Sequence, residues 1–270
     1  MARASYGSGA DFLVRRAAAD LAERLETILR PFPQMLDLAT PTAAFCDVLG
    51  QMRPASDLKR NAPSHDVNED WQLGIAQHDL IVSGLALQHV NDLPGSLVQI
   101  ARALKPDGLF MGCLVGGSSL TELRQCLTAA ESELTSGVSP RVFPFADVRD
   151  MGGLLQRAGL ALPVADSEVL TVRYADMFAL MADMRAMGGT NVLHARLKRF
   201  TPRGVLLKAA EIYAQRFADA DGRIRATFEL IWVSGWAPHE SQQKPLKPGS
   251  AKQRLADALR VPEQSSGEKP

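Results

Sequence analysis

The stretch HDLIVSGLALQHVNDLPGSLVQIARALKPDGLF, residues 78–110, admits few folds because it reads as strand, loop, helix, turn and strand in that order. Asp79-Leu80-Ile81-Val82-Ser83 is a short apolar run of the kind a parallel sheet buries on both faces, and Gly84 ends it. With Asp92 as N-cap and Pro94 in the first turn, Leu93, Leu97, Ile100, Ala101 and Leu104 recur at helical spacing and form one buried stripe. Lys105-Pro106-Asp107-Gly108 stops that helix, and residues 109–114 start the next strand. The sum is a βαβ unit. Sheets built from such units bind ligands beyond the carboxyl ends of their strands. Residues 84–92, with His89 and Asn91, are therefore expected to border any site.

A chain of 270 residues, 46% of them apolar, can bury one sizeable core, so one α/β domain with appendages is expected. Thirty basic and thirty acidic residues leave no net charge, which favours neither nucleic acid nor an anionic membrane as partner. Cys46, Cys113 and Cys126 lack CxxC spacing and read as reduced thiols. No apolar run approaches the roughly 18 residues of a membrane span, and the start MARASYGSGADF lacks the apolar core of a secretory signal. A cytoplasmic chain is expected, with a peripheral place at a membrane complex left open.

Residues 12–30 put Leu13, Ala17, Leu21, Leu25 and Ile28 on one stripe, which predicts an N-terminal helix ended by Pro31 and Pro33 and occupying residues 1–34 as an appendage to the core. A first strand follows at residues 35–38, then a helix with Thr40 as N-cap and Pro41 at its first position, then a poorly marked second strand near residues 54–58. Further helices are predicted from a Ser118 or Ser119 cap, over residues 145–158 with Gly159 just past the end, over 176–187 and over 203–217. Residues 164–172 and 223–236 read as extended, the latter as a sheet strand. The domain is thus placed at residues 35–236, with inserted helices around 174–217 and an extended tail over 237–270.

The turn after the first strand, Asp37-Leu38-Ala39-Thr40-Pro41-Thr42-Ala43, holds no glycine. An alanine at positive φ costs on the order of 1 kcal/mol, and Pro41 cannot go there. Asp57 stands where a carboxylate at the end of a second strand would hold both ribose hydroxyls. His89 is a candidate general base. No metal site is expected, because neither His65-Asp66 nor His239-Glu240 has ligand spacing, and no nucleophile elbow, P-loop or zinc pattern occurs.

Several motifs together carry a resemblance: VNDLPGSLVQIARALKPDGLF from Val90, GGSSLTELR from Gly116, GVSPRVFPFADVRDMGGLLQRAGLALPVAD from Gly137, MADMRAMGGTNVL from Met181 and GWAPHESQQKPLKPGSA from Gly235. The chain resembles class I S-adenosylmethionine-dependent methyltransferases, in the branch of bacterial relatives of a mitochondrial respiratory complex I assembly factor. The resemblance implies a doubly wound, Rossmann-like sheet, mostly parallel with a final antiparallel strand. It also implies S-adenosylmethionine over Asp37 and Ala39, with Asp57, Asp66, Ser83 and Leu85 around it. The partner implied is a protein substrate, a respiratory complex I subunit, modified by methyl transfer or arginine hydroxylation. Two alternatives stay open: an assembly chaperone that kept the fold and lost the nucleoside pocket, and a carboxyl methyltransferase of a small or carrier-bound acid. This chain departs from the family's LHWVNDLPG at Leu87-Gln88-His89-Val90-Asn91, where the tryptophan is missing and the histidine sits one place later.

Overall fold

The computed structural model describes residues 10–61 and 69–243. Its elements in chain order are α1 (Phe12–Glu26), β1 (Gln34–Leu38), α2 (Ala44–Met52), β2 (Asp57–Asn61), β3 (His78–Gly84), a 3-10 turn (Leu87–His89), α3 (Leu93–Ala103), β4 (Leu104–Val115), α4 (Thr121–Leu134), α5 (Val148–Arg157), β5 (Ala161–Tyr174), α6 (Met177–Ala186), α7 (Arg203–Phe217) and β6 (Ile224–Trp236). The six strands form one sheet in the order β2-β1-β3-β4-β6-β5. β1, β2, β3 and β4 pair in parallel, and β6 pairs antiparallel with both β4 and β5. β6 is therefore the one strand that runs against the rest, as the resemblance implied for the last strand.

Alternation along the strands explains why the sheet sits between two helical layers. Leu80 and Val82 point to the face covered by α1, α2, α4 and α7, with Phe45, Trp232 and Tyr213 at its centre. Ile81 points to the opposite face, where Leu97, Ile100, Met151 and Leu155 of α3 and α5 pack. Strands buried on both faces read as continuous apolar runs, which is how residues 79–83 were legible. β2 is the exception. It lies at the sheet edge, its Asp57, Lys59 and Arg60 exposed, and an edge strand with charged side chains resists pairing with other chains but carries a weak sequence signal.

The structure corrects several boundaries. α1 ends at Glu26, before the prolines, and β2 lies at 57–61 rather than 54–58. α5 starts at Val148, because the Asp147 carboxylate caps it by accepting from Arg149 N–H. β4 starts at Leu104, so Lys105-Pro106-Asp107-Gly108 is a bulged strand start; the register shifts opposite His78 and Leu80. Neither serine caps α4, whose N-cap is Leu120 at φ 56°. The Ser119 hydroxyl instead accepts from Glu229 N–H at 2.8 Å, fastening the loop after β4 to β6. Asp92 does cap α3, accepting from Gly95 N–H at 2.8 Å.

Residues up to Pro238 form one unit. Of the unit that begins at His239, residues 239–243 are described, and there the His239 Nδ1 lies 2.7 Å from Ser241 Oγ. No helix among the described residues is long and apolar enough to cross a membrane.

Candidate functional site

The chain leaves β1 toward one sheet edge and β3 toward the other, so a crevice opens between their carboxyl ends, the place where open α/β sheets bind ligands. Its floor is the turn after β1. Ala39 adopts φ 61°, the left-handed conformation glycine usually supplies, and its N–H donates to the Asn61 carbonyl at 2.7 Å. The residue is 1% exposed and belongs to the core that α3 and α5 cover, so its methyl is packed inward. The bend that the sequence made costly is thus formed by alanine itself.

Thr40, predicted as a helix cap, has another task. Its hydroxyl donates to Asp37 Oδ1 and accepts from Gly84 N–H at 2.9 Å, which ties the turn after β1 to the end of β3. With that hydroxyl spent, α2 begins only at Ala44. Asp37 is fully buried and accepts from the Cys46 thiol at 3.2 Å as well, with Arg60 Nε 3.8 Å from Oδ2. Burial raises the Asp37 pKa, while the Thr40 and Cys46 hydrogen bonds and the Arg60 charge oppose that rise. Asp37 thus supports the turn from below, with the carboxylate that was expected to meet a cofactor engaged by Thr40 and Cys46.

The carboxylate expected at the end of the second strand is also misplaced. Asp57 opens β2, in register with Gln34, and the residue at the carboxyl end, opposite Leu38, is Asn61. Because the strand lies three residues later than predicted, Asp57 stands at the far end of the sheet from the crevice. Asn61 donates from Nδ2 to the Trp71 carbonyl at 3.3 Å, and Arg60 donates from Nη2 to the Thr40 carbonyl at 2.9 Å. Asp66 lies outside the described residues.

β3 brings the remaining predicted residues to the crevice. Ser83 is fully buried, and its Oγ has no hydrogen-bond partner. Leu85 sits at φ 49°, its N–H donates to the Cys113 carbonyl at 2.8 Å, and its side chain packs in the core, so only its backbone remains for a ligand. In the 3-10 turn that follows, Gln88 Oε1 and His89 Nδ1 are likewise buried without partners. Unpaired buried polar atoms are rare in folded chains because each carries a desolvation cost of about 1–3 kcal/mol. Three of the five such atoms among the described residues fall within seven residues here, at the sheet's carboxyl end.

Asn91 is engaged elsewhere. Glu69 accepts from Asn91 N–H at 2.6 Å, from its Nδ2 at 3.1 Å and from Asp92 N–H at 2.7 Å. The amide predicted for the chemistry therefore anchors the start of α3. The His89 ring lies edge-on to Phe143 with centroids 6.1 Å apart, and Phe143 in turn packs on Phe145 at 5.6 Å. Burial lowers the His89 pKa, so the imidazole is neutral at pH 7. Between the unfolded value near 6.5 and the lower folded value, the unfolded chain takes up a proton that the folded one refuses. The stability His89 contributes is present above about pH 6.5 and is lost as pH falls through the folded pKa. An NMR titration of His89 is expected to give a midpoint below 6.5, and Phe143→Ala, which admits water to the ring, is expected to return it toward 6.5.

Sequence reasoning missed Thr40, Asn61, Gln88 and Phe143. Asn61 had a usable signal, since a shift of three residues in β2 follows from pairing it with Gln34–Leu38; the others depend on contacts between segments far apart in sequence. Among the described residues, no group of three or more His, Cys, Asp or Glu side chains gathers as metal ligands.

Comparison with known proteins agrees with this layout. A family described as Methyltransferase domain matches residues 12–163, more than half of the chain. Arginine-hydroxylase NDUFAF5, mitochondrial, of Mus musculus is 35% identical over 275 aligned residues, covering 96% of this chain and 80% of the relative. Malonyl-[acyl-carrier protein] O-methyltransferase of Xylella fastidiosa is 35% identical over 60% of this chain and 53% of its own length. Among solved structures, the YcgJ protein of Bacillus subtilis superposes with a TM-score of 0.50 at 13% identity, over 83% of this chain and 99% of that one, a likeness of fold.

Proposed function

This chain belongs to the methyltransferase-domain family and, within it, to the family of arginine-hydroxylase NDUFAF5, and from that premise we propose that it binds S-adenosylmethionine between the carboxyl ends of β1 and β3 and modifies a side chain of a protein substrate during assembly of respiratory complex I. The observation that carries the cofactor reading is the trio of unpartnered buried atoms, Ser83 Oγ, Gln88 Oε1 and His89 Nδ1. The residues suit the cofactor at its methionyl end: Ala39 makes the left-handed bend and keeps its methyl in the core, and the half-buried Pro41 and Thr42 are the part of this turn that a ligand would meet. When bound, the cofactor supplies an electrophilic methyl group. Ser83 and Gln88 would hold its polar end, and the neutral His89 imidazole would accept the proton that a substrate nitrogen or oxygen gives up on forming its new bond. Positioning the two reactants carries most of the rate in such a reaction.

One observation favours a second reading. The residue at the carboxyl end of β2 is Asn61, an amide, where a ribose is ordinarily held by a carboxylate that accepts from both hydroxyls. A chain that kept the fold and grips an assembly partner without using the cofactor would look like this.

Calorimetric titration separates the readings. S-adenosylmethionine is expected to bind, with Ser83→Ala and Gln88→Leu each weakening it about 5- to 10-fold, the worth of about one hydrogen bond. Asp57→Ala, far from the crevice, is expected to leave binding unchanged. No heat at ligand concentrations of about 1 mM, where binding is worth only about 4 kcal/mol, would sink the cofactor reading and leave the assembly module. Mass spectrometry of the modified partner then tells an added methyl group from an added oxygen. A methylated carrier-bound acid with an unmodified protein partner would instead favour the carboxyl methyltransferase.

A further inference from the structure

An open cleft of about 920 Å³ lies beside the crevice. One wall is the loop after β4 and the first turns of α4, with Gly117, Arg124 and Thr128; a second is the strap of residues 138–145; the third is the segment between α6 and α7, with Leu193 and His194. The strap is fastened to the loop after β4, since Gly117 N–H donates to the Ala146 carbonyl at 3.0 Å. The same strap carries Phe143 against His89, so the cleft and the candidate base share a wall.

The chemistry of this cleft is uneven. Its lower lining is apolar, from Val138, Val142, Phe145 and Leu193. Its cations are mostly uncommitted. Arg141 is spent on Glu131, but Arg124 reaches only the carbonyls of Gly117 and Ser119, at 3.5 and 3.4 Å, and meets no carboxylate among the described residues. Between residues 184 and 210 the chain holds six Arg or Lys and no Asp or Glu, in a protein whose net charge is zero. Arg196, Lys198 and Arg199 lie exposed on the segment that forms the third wall, with no ion pair among the described residues, next to a fully exposed Phe200.

We infer that this cleft is the docking site for an acidic, apolar-studded peptide segment of the protein substrate, carboxylates against Arg124 and the 196–199 cations and aliphatic side chains in the recess. The inference deepens the protein-modification reading and rests on it for the claim that the docked segment is a substrate. Charge complementarity selects the occupant: unpaired cations around an apolar recess leave an anionic segment as the ligand that gains most. A bilayer is flat and reaches the rim but not the recess. A nucleic acid asks for a basic track with stacking aromatics along it, and here the cations cluster on one short segment.

The test uses the full chain and a fluorescein-labelled extended peptide of alternating Glu and Leu, with the Lys-Leu peptide as control, read by anisotropy without cofactor. The Glu-Leu peptide is expected to bind and the Lys-Leu peptide not. Arg124→Gln is expected to weaken binding about tenfold or more, the loss of a hydrogen bond to a charged partner. The exposed triple change R196Q/K198Q/R199Q, which cannot disturb a core, is expected to do the same and to steepen neither the melting curve nor its midpoint. Equal binding of the two peptides, or indifference to both variants, overturns the inference. So does displacement of the Glu-Leu peptide by phosphatidylserine vesicles or a single-stranded RNA at lower concentration than by unlabelled peptide. Calorimetry with S-adenosylmethionine on the same variants keeps the two readings apart: peptide binding without cofactor binding sinks the enzyme and leaves the cleft, and the reverse sinks the cleft alone.

Discussion

Arg141→Ala is expected to lower the unfolding free energy by about 3–5 kcal/mol, because it leaves a buried carboxylate without its counter-charge. Glu131 of α4 is 3% exposed and accepts from Ser139 N–H at 2.8 Å, from Ser139 Oγ at 3.1 Å and from Arg141 Nε at 2.7 Å and Nη2. Arg141 also donates to Thr201 Oγ1 at 2.8 Å, joining the strap of residues 138–145 to the segment before α7. Burial pushes the Glu131 pKa up, but the Ser139 N–H, the Arg141 guanidinium and the Ser139 hydroxyl outweigh it and hold the carboxyl below its ordinary value. A depressed carboxyl contributes stability that is complete above its unfolded value, near 4.3, and is lost as pH falls through the folded pKa. Urea unfolding at pH 7 measures the loss. Adding Glu131→Gln to Arg141→Ala removes the stranded charge and is expected to recover part of it, a coupling that a double-mutant cycle isolates. An unchanged midpoint for Arg141→Ala would show that the pair carries no weight. The functional consequence is local: without this latch the strap loosens, and with it the wall shared by His89 and the cleft.

Thr40→Val is expected to cost about 3 kcal/mol, although it keeps the shape of the side chain. Valine neither donates to Asp37 nor accepts from Gly84 N–H, so one change strands a buried amide and removes a donor from a buried carboxylate, at about 1–3 kcal/mol each. Thr40→Ser keeps the hydroxyl and is expected to lose less. The change also severs the hydrogen bond that joins the turn after β1 to the end of β3, the two walls of the crevice. Weaker S-adenosylmethionine binding in folded Thr40→Val than in Thr40→Ser is the readout that distinguishes a positioning role from stability alone. Equal stability of Thr40→Val and the parent in urea would refute the network.

The expected cost of the first turn shows how far local reasoning carries. From Ala39 and Pro41 the turn looked hostile to a close backbone approach, yet the structure puts Ala39 at φ 61° with its methyl in the core. The missing fact was the direction of a single methyl, which depends on what lies beneath it. Asp57 failed for another reason. β2 is an exposed edge strand of five residues, with no apolar alternation to fix its register, and a slip of three residues moved the carboxylate from one end of the sheet to the other.

What could be read from the chain alone was whatever burial writes into sequence. Apolar runs at 79–83 and 109–114 and the stripe on α3 marked the βαβ unit, the Asp92 cap and Gly159 followed from local steric and hydrogen-bonding rules, and the antiparallel direction of the final strand came with the family resemblance. The sequence therefore determined the architecture and the end of the sheet where a site belongs. Tertiary structure alone decided which side chains arrive there. It committed Thr40 to Gly84, Asn91 to Glu69 and Asp37 to the interior, and it left Ser83 Oγ, Gln88 Oε1 and His89 Nδ1 unpaired. A hydrogen bond between segments tens of residues apart has no periodicity to announce it, so a polar residue's role stays open until its partner is in place.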